Sequence, residues 1–390
     1  VDEKLVFDPM AYYRAQAQTA MDEGDFRAAV KAYRQALRHA QADPPGQTRL
    51  MVEMGDAYFE DRRYAQAIGV WHDALGRTAT SGDRPWIYWR LAKAHARRRH
   101  LDEAEAILSE IPTAAMRLDK LLRAQVQVLE GEILRQRRDY TASKRRLRAA
   151  IRTALAIHPD DARGVAVTAY EALFETCRSA DDLVGALKVL LEVQPILDES
   201  GDKEELTGPL TDLGITFIRR NRPYYAEQAF AAALDCADDP TTEVYLLSNY
   251  ASVLCEVNRY DEAYLFIQKA MAYADIDDPQ SPEFLATLFD TAAYVCLRRG
   301  QIDQARMWIQ KALKRLADLP SSPFPVASVY LNLALIEEDA GQLDEALMAL
   351  YQAQAHAPES RHLEKEIERL KRRLEGSAKA TRRKAKRRHT

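Results

Sequence analysis

The sequence predicts an all-α fold, an α-α superhelix of about nine helix-turn-helix units with a C-terminal capping helix. Three observations predict it. Glycine is scarce, at 15 of 390 residues, and charged residues make up 29%, a composition that favours helices over turn-rich sheets. The segments "GDFRAAVKAYRQAL", "RRYAQAIGVWHDAL", "NRYDEAYLFIQKAM", "GQIDQARMWIQKAL" and "GQLDEALMALYQAQ" align without gaps on one alanine, and self-similarity at such a period is the mark of stacked repeats. That anchor returns as Ala29, Ala67, Ala104, Ser143, Ala186, Ala226, Ala263, Ala305 and Ala346, at spacings of 37 to 43.

Each unit follows from positions counted from its anchor. Three residues earlier stands a bulky residue that closes a turn: Phe26, Tyr64, Leu101, Tyr140, Leu183, Tyr260, Ile302 or Leu343. Four residues later comes another large side chain, from Tyr33 and Trp71 through Leu147 and Phe230 to Leu350. These offsets share one face of a helix or its entrance. Seven later, alanine returns in most units, as at Ala36, Ala74, Ala150, Ala233, Ala270, Ala312 and Ala353. On the preceding helix, twelve residues before the anchor, sit Ala17, Gly55, Ala92, Gly131, Gly214, Ala251, Ala293 and Ala334, small where two helices must approach closely. Phe174 breaks that rule in unit five, Pro223 replaces the turn-closing residue in unit six, and unit three ends early at Pro112. Prolines 112, 159, 240, 279, 320 and 358 are expected to punctuate the ends of second helices.

The array occupies residues 10–360, after an N-terminal extension at 1–9. "RHLEKEIERLKRRLEG" then reads as a capping helix over 361–375, with Leu363, Ile367, Leu370 and Leu374 on one side, because a stack of repeats needs its open end covered. Residues 376–390 carry no apolar side chain larger than alanine and are expected to be a disordered basic tail. Its charges are Lys379, Arg382, Arg383, Lys384, Lys386, Arg387 and Arg388. With a formal net charge of −4 for the whole chain, everything before the tail sums to about −11.

Catalytic signatures are missing: there is no phosphate-cradling P-loop, no H-E-x-x-H, no G-x-S-x-G and no Gly-rich dinucleotide turn. No enzyme activity, cofactor or metal is therefore expected. Cys177, Cys236, Cys255 and Cys296 are spaced 59, 19 and 41 apart, which suits buried reduced thiols better than disulfides or a metal site. His95 falls where other units place Tyr58, Phe217 or Leu254 and is expected in the core, while Asp181 and Asp182 precede a second helix as capping groups. The charged N-terminus lacks a signal-peptide core and no apolar run reaches membrane-spanning length, so a soluble cytoplasmic protein is expected, although the chain begins with Val.

The pattern resembles the tetratricopeptide repeat family, whose units carry a small residue in the first helix, an alanine opening the second and often a closing proline. Unit two matches best, with Gly55, Tyr58, Tyr64, Ala67, Trp71, Ala74 and Leu75, and units seven to nine look like the longer repeats of kinesin light chains and related adaptors. The resemblance implies a right-handed solenoid and a non-enzymatic scaffold or adaptor whose concave groove, lined by first helices, holds a peptide or helix of a partner.

Residues opposite the core-facing side of each first helix are then the candidates for contact with that partner. In unit three these are Trp86, Trp89, Arg90, Lys93 and Arg97; in later units Asn249, Asp290, Tyr294 and Asn332. Asn249 and Asn332 occupy equivalent places, and in the resembled family an asparagine there often holds the backbone of an extended peptide. A competing expectation is association with nucleic acid or an acidic partner through the basic tail and the patch from Trp86 to Arg99. A third is a peptide-sensing regulator.

Overall fold

The recurring anchor opens the second helix of every pair. The structure, a computed structural model, describes residues 8–40, 43–77, 82–157, 159–274, 282–317 and 323–388, the side chains of 159–162, 273–274, 282–283, 323–325 and 377–388 excepted. Among the described residues there is no strand. The chain forms two compact units, divided at Ile196 and Leu197.

In the first, α1 (Pro9–Asp22) pairs with α2 (Phe26–His39), α3 (Pro44–Glu60) with α4 (Tyr64–Arg77), and α5 (Arg84–Arg97) with α6 (Leu101–Ser109). A short α7 (Thr113–Leu118) precedes α8 (Lys120–Gln136), which pairs with α9 (Tyr140–Leu155); α10 (Pro159–Ser179) and α11 (Leu183–Ser200) follow, α11 running across the division. In the second, a single 3-10 turn (Lys203–Leu206) leads to α12 (Thr207–Arg219) with α13 (Pro223–Cys236) and α14 (Pro240–Glu256) with α15 (Tyr260–Ala274). Then come α16 (Pro282–Arg298) with α17 (Ile302–Ala317), α18 (Pro323–Asp339) with α19 (Leu343–His356), and α20 (Arg361–Arg388).

All nine anchors are fully buried. So are the small residues seven later where alanine returns, and the large residues between them are buried as well. The close approach predicted twelve residues before the anchor is a specific contact. A Cβ added to Gly55 would fall 2.2 Å from the Trp71 ring, one on Gly131 would fall 2.5 Å from Leu147, and one on Gly214 would fall 2.7 Å from Phe230. The small residue of the first helix is thus the floor on which the large residue of the second lies. Trp71 is also held by its Nε1, which donates to the Val52 carbonyl at 3.1 Å.

Each helix pair turns at one residue with positive φ, five before the anchor: Gly24, Arg62, Arg99, Arg138, Asp181, Asn221, Asn258, Gly300 and Gly341. The next amide donates back to a carbonyl five residues upstream, as from Arg63 to Tyr58 at 2.8 Å and from His100 to His95 at 2.9 Å. This closes the first helix as a Schellman motif. Second helices are then capped by carboxylates where the sequence supplies them: Asp25 accepts from the Ala28 amide, Asp139 from Ala142 and Asp182 from Gly185.

The departures from the pattern have local causes. Ser143, the one non-alanine anchor, donates from Oγ to the Gly131 carbonyl at 2.8 Å and lies 3.1 Å from Thr176 Oγ1, so its buried hydroxyl is satisfied. Pro223 occupies the first position of α13, where no amide hydrogen is needed. Phe174 stays half-buried with the Arg178 guanidinium 5.6 Å over its ring. Pro159 and Pro240 open the following first helix instead of ending a second one, the same first-turn preference at work; Pro279 and Pro320 lie outside the described residues. Leu363, Ile367 and Leu370 bury against Ala346, Leu350 and Ala353 and cover the last pair, while Leu374 is only half-buried. Disorder was expected from Gly376, yet α20 continues to Arg388. Alanine, lysine and arginine are all strong helix formers, with Gly376 the weak point.

Gly55→Ala should therefore destabilise the first unit by about 1–3 kcal/mol through overpacking, although glycine to alanine within a helix ordinarily stabilises. Adding Trp71→Leu should recover part of that loss in a double-mutant cycle of thermal unfolding. Arg62→Gly should raise the melting midpoint, gaining roughly 1 kcal/mol by relieving a left-handed arginine.

Candidate functional site

On α5 the sequence-predicted patch comes together, but much of it is engaged within the protein. Trp86 and Trp89, one helical turn apart, meet edge to face with ring centroids 5.7 Å apart. Trp86 Nε1 donates to Asp119 Oδ2 at 2.9 Å, and Asp119 also caps α8. Trp89 Nε1 is buried without a hydrogen-bond partner. Arg90 forms a two-point ion pair with Asp56 of α3, at 2.6 and 3.1 Å. Burial holds the Asp56 carboxyl above the usual range against the pull of Arg90. Lys93 Nζ lies 4.8 Å from the Phe59 ring centre and 5.1 Å from that of Trp89, and burial lowers its pKa. Arg97 is exposed, 4.0 Å from Glu132. Trp86, Trp89, Arg90 and Lys93 thus form one half-buried cluster, and Arg97 stands at its edge.

In the second unit the first helices α14, α16 and α18 lie side by side, which brings Asn249, Asp290, Tyr294 and Asn332 onto neighbouring helices. The two equivalent asparagines differ. Asn332 Nδ2 donates to Asp290 Oδ1 at 2.8 Å, and Ser328 Oγ donates to Asp290 Oδ2 at 2.9 Å. Asn249 Nδ2 is buried without a hydrogen-bond partner among the described residues. Tyr294 donates to Glu256 Oε1 at 3.0 Å, and its pKa is pushed up to about 12, chiefly by burial. Tyr245, next to this row, is 42% exposed.

Asp290 is only 8% exposed. Burial outweighs its two hydrogen bonds and pushes its carboxyl up to about 6. The sequence placed Asp290 among the surface candidates and gave no sign of this burial, because the signal lies in Ser328 and Asn332 of the next unit.

His95 is half-buried beside His100, its pKa lowered first by burial, and its Nδ1 has no partner. Asp182 caps α11 and pairs with Lys144 at 2.5 Å, which lowers its pKa, while Asp181 takes the left-handed turn. All four cysteines are buried and unbridged, and burial raises their thiol pKa values, to about 12 for Cys255. No group that could hold a metal occurs among the described residues. No described helix is long and apolar enough to cross a membrane. The tail cations from Lys379 to Arg388 lie on α20, their side chains outside the described set.

Comparison with known proteins bears on the repeats. Residues 14–74, 52–117 and 291–360 match the tetratricopeptide repeat family. No curated protein matches the sequence. Among solved structures, the chain is similar to a tetratricopeptide repeat protein from Parabacteroides merdae ATCC 43184, at 13% identity over 93% of this chain and 99% of that one, with a TM-score of 0.35. It is also similar to a chain of the APC/C hetero-tetramer Cut9-Hcn1 (16% identity, 93% and 91% covered, TM-score 0.31). A third is the apo form of RapI (15% identity, 90% and 98% covered, TM-score 0.44).

The raised Asp290 carboxyl fixes a direction of pH dependence. The folded state holds this proton more tightly than the unfolded chain, so its contribution favours folding at low pH and is lost as the pH rises from about 4 to about 6. Asp290→Asn should flatten that slope and, above it, stabilise the second unit by up to about 3 kcal/mol, as read from melting midpoints across the pH range.

Proposed function

Because the chain carries tetratricopeptide repeats, we propose that it is a non-enzymatic interaction scaffold which holds an extended segment of a partner protein against its first helices. The observation that carries this is the row on α14, α16 and α18. There the buried Asn249 Nδ2 has no hydrogen-bond partner among the described residues, beside the exposed Tyr245. A buried donor without a partner destabilises by about 1–3 kcal/mol, and a peptide carbonyl is the natural acceptor for it. Asn332, Asp290 and Ser328 hold each other in place; we assign them the support of this row instead of direct contact.

The cluster on α5 takes a supporting place in the proposal. Its indole rings are apolar surface for a partner side chain, but Arg90 and Lys93 are already occupied by Asp56, Phe59 and Trp89. Those two cations therefore add little to a nucleic-acid patch, and the protein-binding reading is favoured over the one that joins them to the tail.

Capture from a lysate with the full chain, followed by mass spectrometry, should give a partner whose recovery falls about tenfold on Asn249→Ala, the usual effect of removing a hydrogen bond to a bound backbone. Trp86→Ala with Trp89→Ala should weaken the same partner less. Undiminished recovery with Asn249→Ala, at an unchanged melting midpoint, would exclude the α14 row as the contact.

A further inference from the structure

The first unit carries a groove of its own, and it follows from one short helix. Among the described residues, eight of the nine second helices run 14 to 18 residues, whereas α6 has nine and stops at Ser109. The chain turns through Ile111 and Pro112 into α7 and leaves the flank of α8 and α9 uncovered. What remains is a cavity of about 810 Å³ lined from α6, α7, α8 and α9, continued by one of about 280 Å³ toward Arg117 and Arg123. Its floor is apolar, made by Leu108, Ile111, Met116, Val126 and Leu134.

Charge on the rim is one-sided once existing pairs are removed. Of its acids, Glu130 is gripped by Arg146 through two hydrogen bonds, and Glu105 accepts from Arg137 at 3.0 Å. Arg117, Arg123, Arg145 and Arg152 are exposed and have no side-chain hydrogen bond or ion pair among the described residues. Four uncommitted guanidinium groups over an apolar floor stand out on a body whose net charge is about −11, and such a reversal concentrates anionic ligands locally.

We propose that this groove binds an acidic amphipathic peptide segment of a partner protein, its apolar side chains on the Leu108–Met116–Val126 floor and its carboxylates on the four arginines. Arginine suits carboxylates because its planar fork donates two parallel hydrogen bonds. Nucleic acid fits less well, since no aromatic ring lines the cavity and single strands are held largely by stacking on such rings. The volume suits several side chains, within the range of built ligand sites.

Fluorescence anisotropy with the full-length chain and a labelled peptide rich in Leu and Glu tests this. Arg145→Glu with Arg152→Glu should weaken binding at least about tenfold without moving the melting midpoint, because both side chains are exposed. Arg145→Gln with Arg152→Gln gives the same direction at smaller amplitude and serves if the charge reversal unfolds. The basic tail is common to parent and variants, so its contribution cancels. Met116→Gln should weaken the Leu–Glu peptide but not polyglutamate. Unchanged affinity in the arginine variants overturns the proposal. So does equal binding of polyglutamate, which would make the groove a site for charge alone, or a single-stranded oligonucleotide that loses as much affinity in the same variants. Loss here with Asn249-dependent capture intact keeps the two sites distinct.

Discussion

Everything in this protein depends on how closely the two helices of a pair approach, and that distance is set by one contact. A small residue on the first helix lies directly under a large one on the second: Gly55 under Trp71, Gly131 under Leu147, Gly214 under Phe230. Under the largest of these side chains, Trp71, the lower residue has no Cβ at all. Dispersion and burial reward such contact only when no void is left and no atom overlaps, so the two positions are chosen together. Residues on the exposed side of each first helix inherit their positions from this spacing, and the row of Asn249, Asp290 and Asn332 exists because α14, α16 and α18 are held alongside one another.

The core was legible in the sequence because its signal is periodic and local. The anchors, their large partners and their small floors all fall within one unit of chain, and all of them are buried as the spacing predicts. The turns were less legible. Nine left-handed residues recur at one offset, but only Gly24, Gly300 and Gly341 announce themselves; arginine at 62, 99 and 138 reads as surface charge, and its backbone conformation is forced by the helices on either side. The short helix α7 and the groove beside it were missed for a related reason. An early stop at Pro112 was visible, whereas the surface it uncovers belongs to helices that lie later in the chain.

The candidate contact residues divide along the same line. Which side chains share one side of a first helix follows from helical geometry, as for Trp86, Trp89, Arg90, Lys93 and Arg97. Whether a polar group there is free or spent depends on the neighbouring unit, some forty residues away. Arg90 is spent on Asp56 and Asn332 on Asp290, while Asn249, the apparent twin of Asn332, is not. Equivalent positions in a repeat are equivalent in geometry only, and their chemistry is decided by the unit next door.

Ser143 carries this principle into the core. At eight anchors alanine would fit over any neighbour of similar shape, so apolar packing alone gives units little means of telling one adjacent unit from another. The hydroxyl of Ser143 reaches across to Thr176 of the following unit, and a neighbour lacking that group would leave it with one contact fewer in a dry interior. The pair gives the junction of units four and five a polar contact that an alanine anchor cannot make. Replacing Ser143 by alanine would remove that contact while keeping the apolar packing of the pattern.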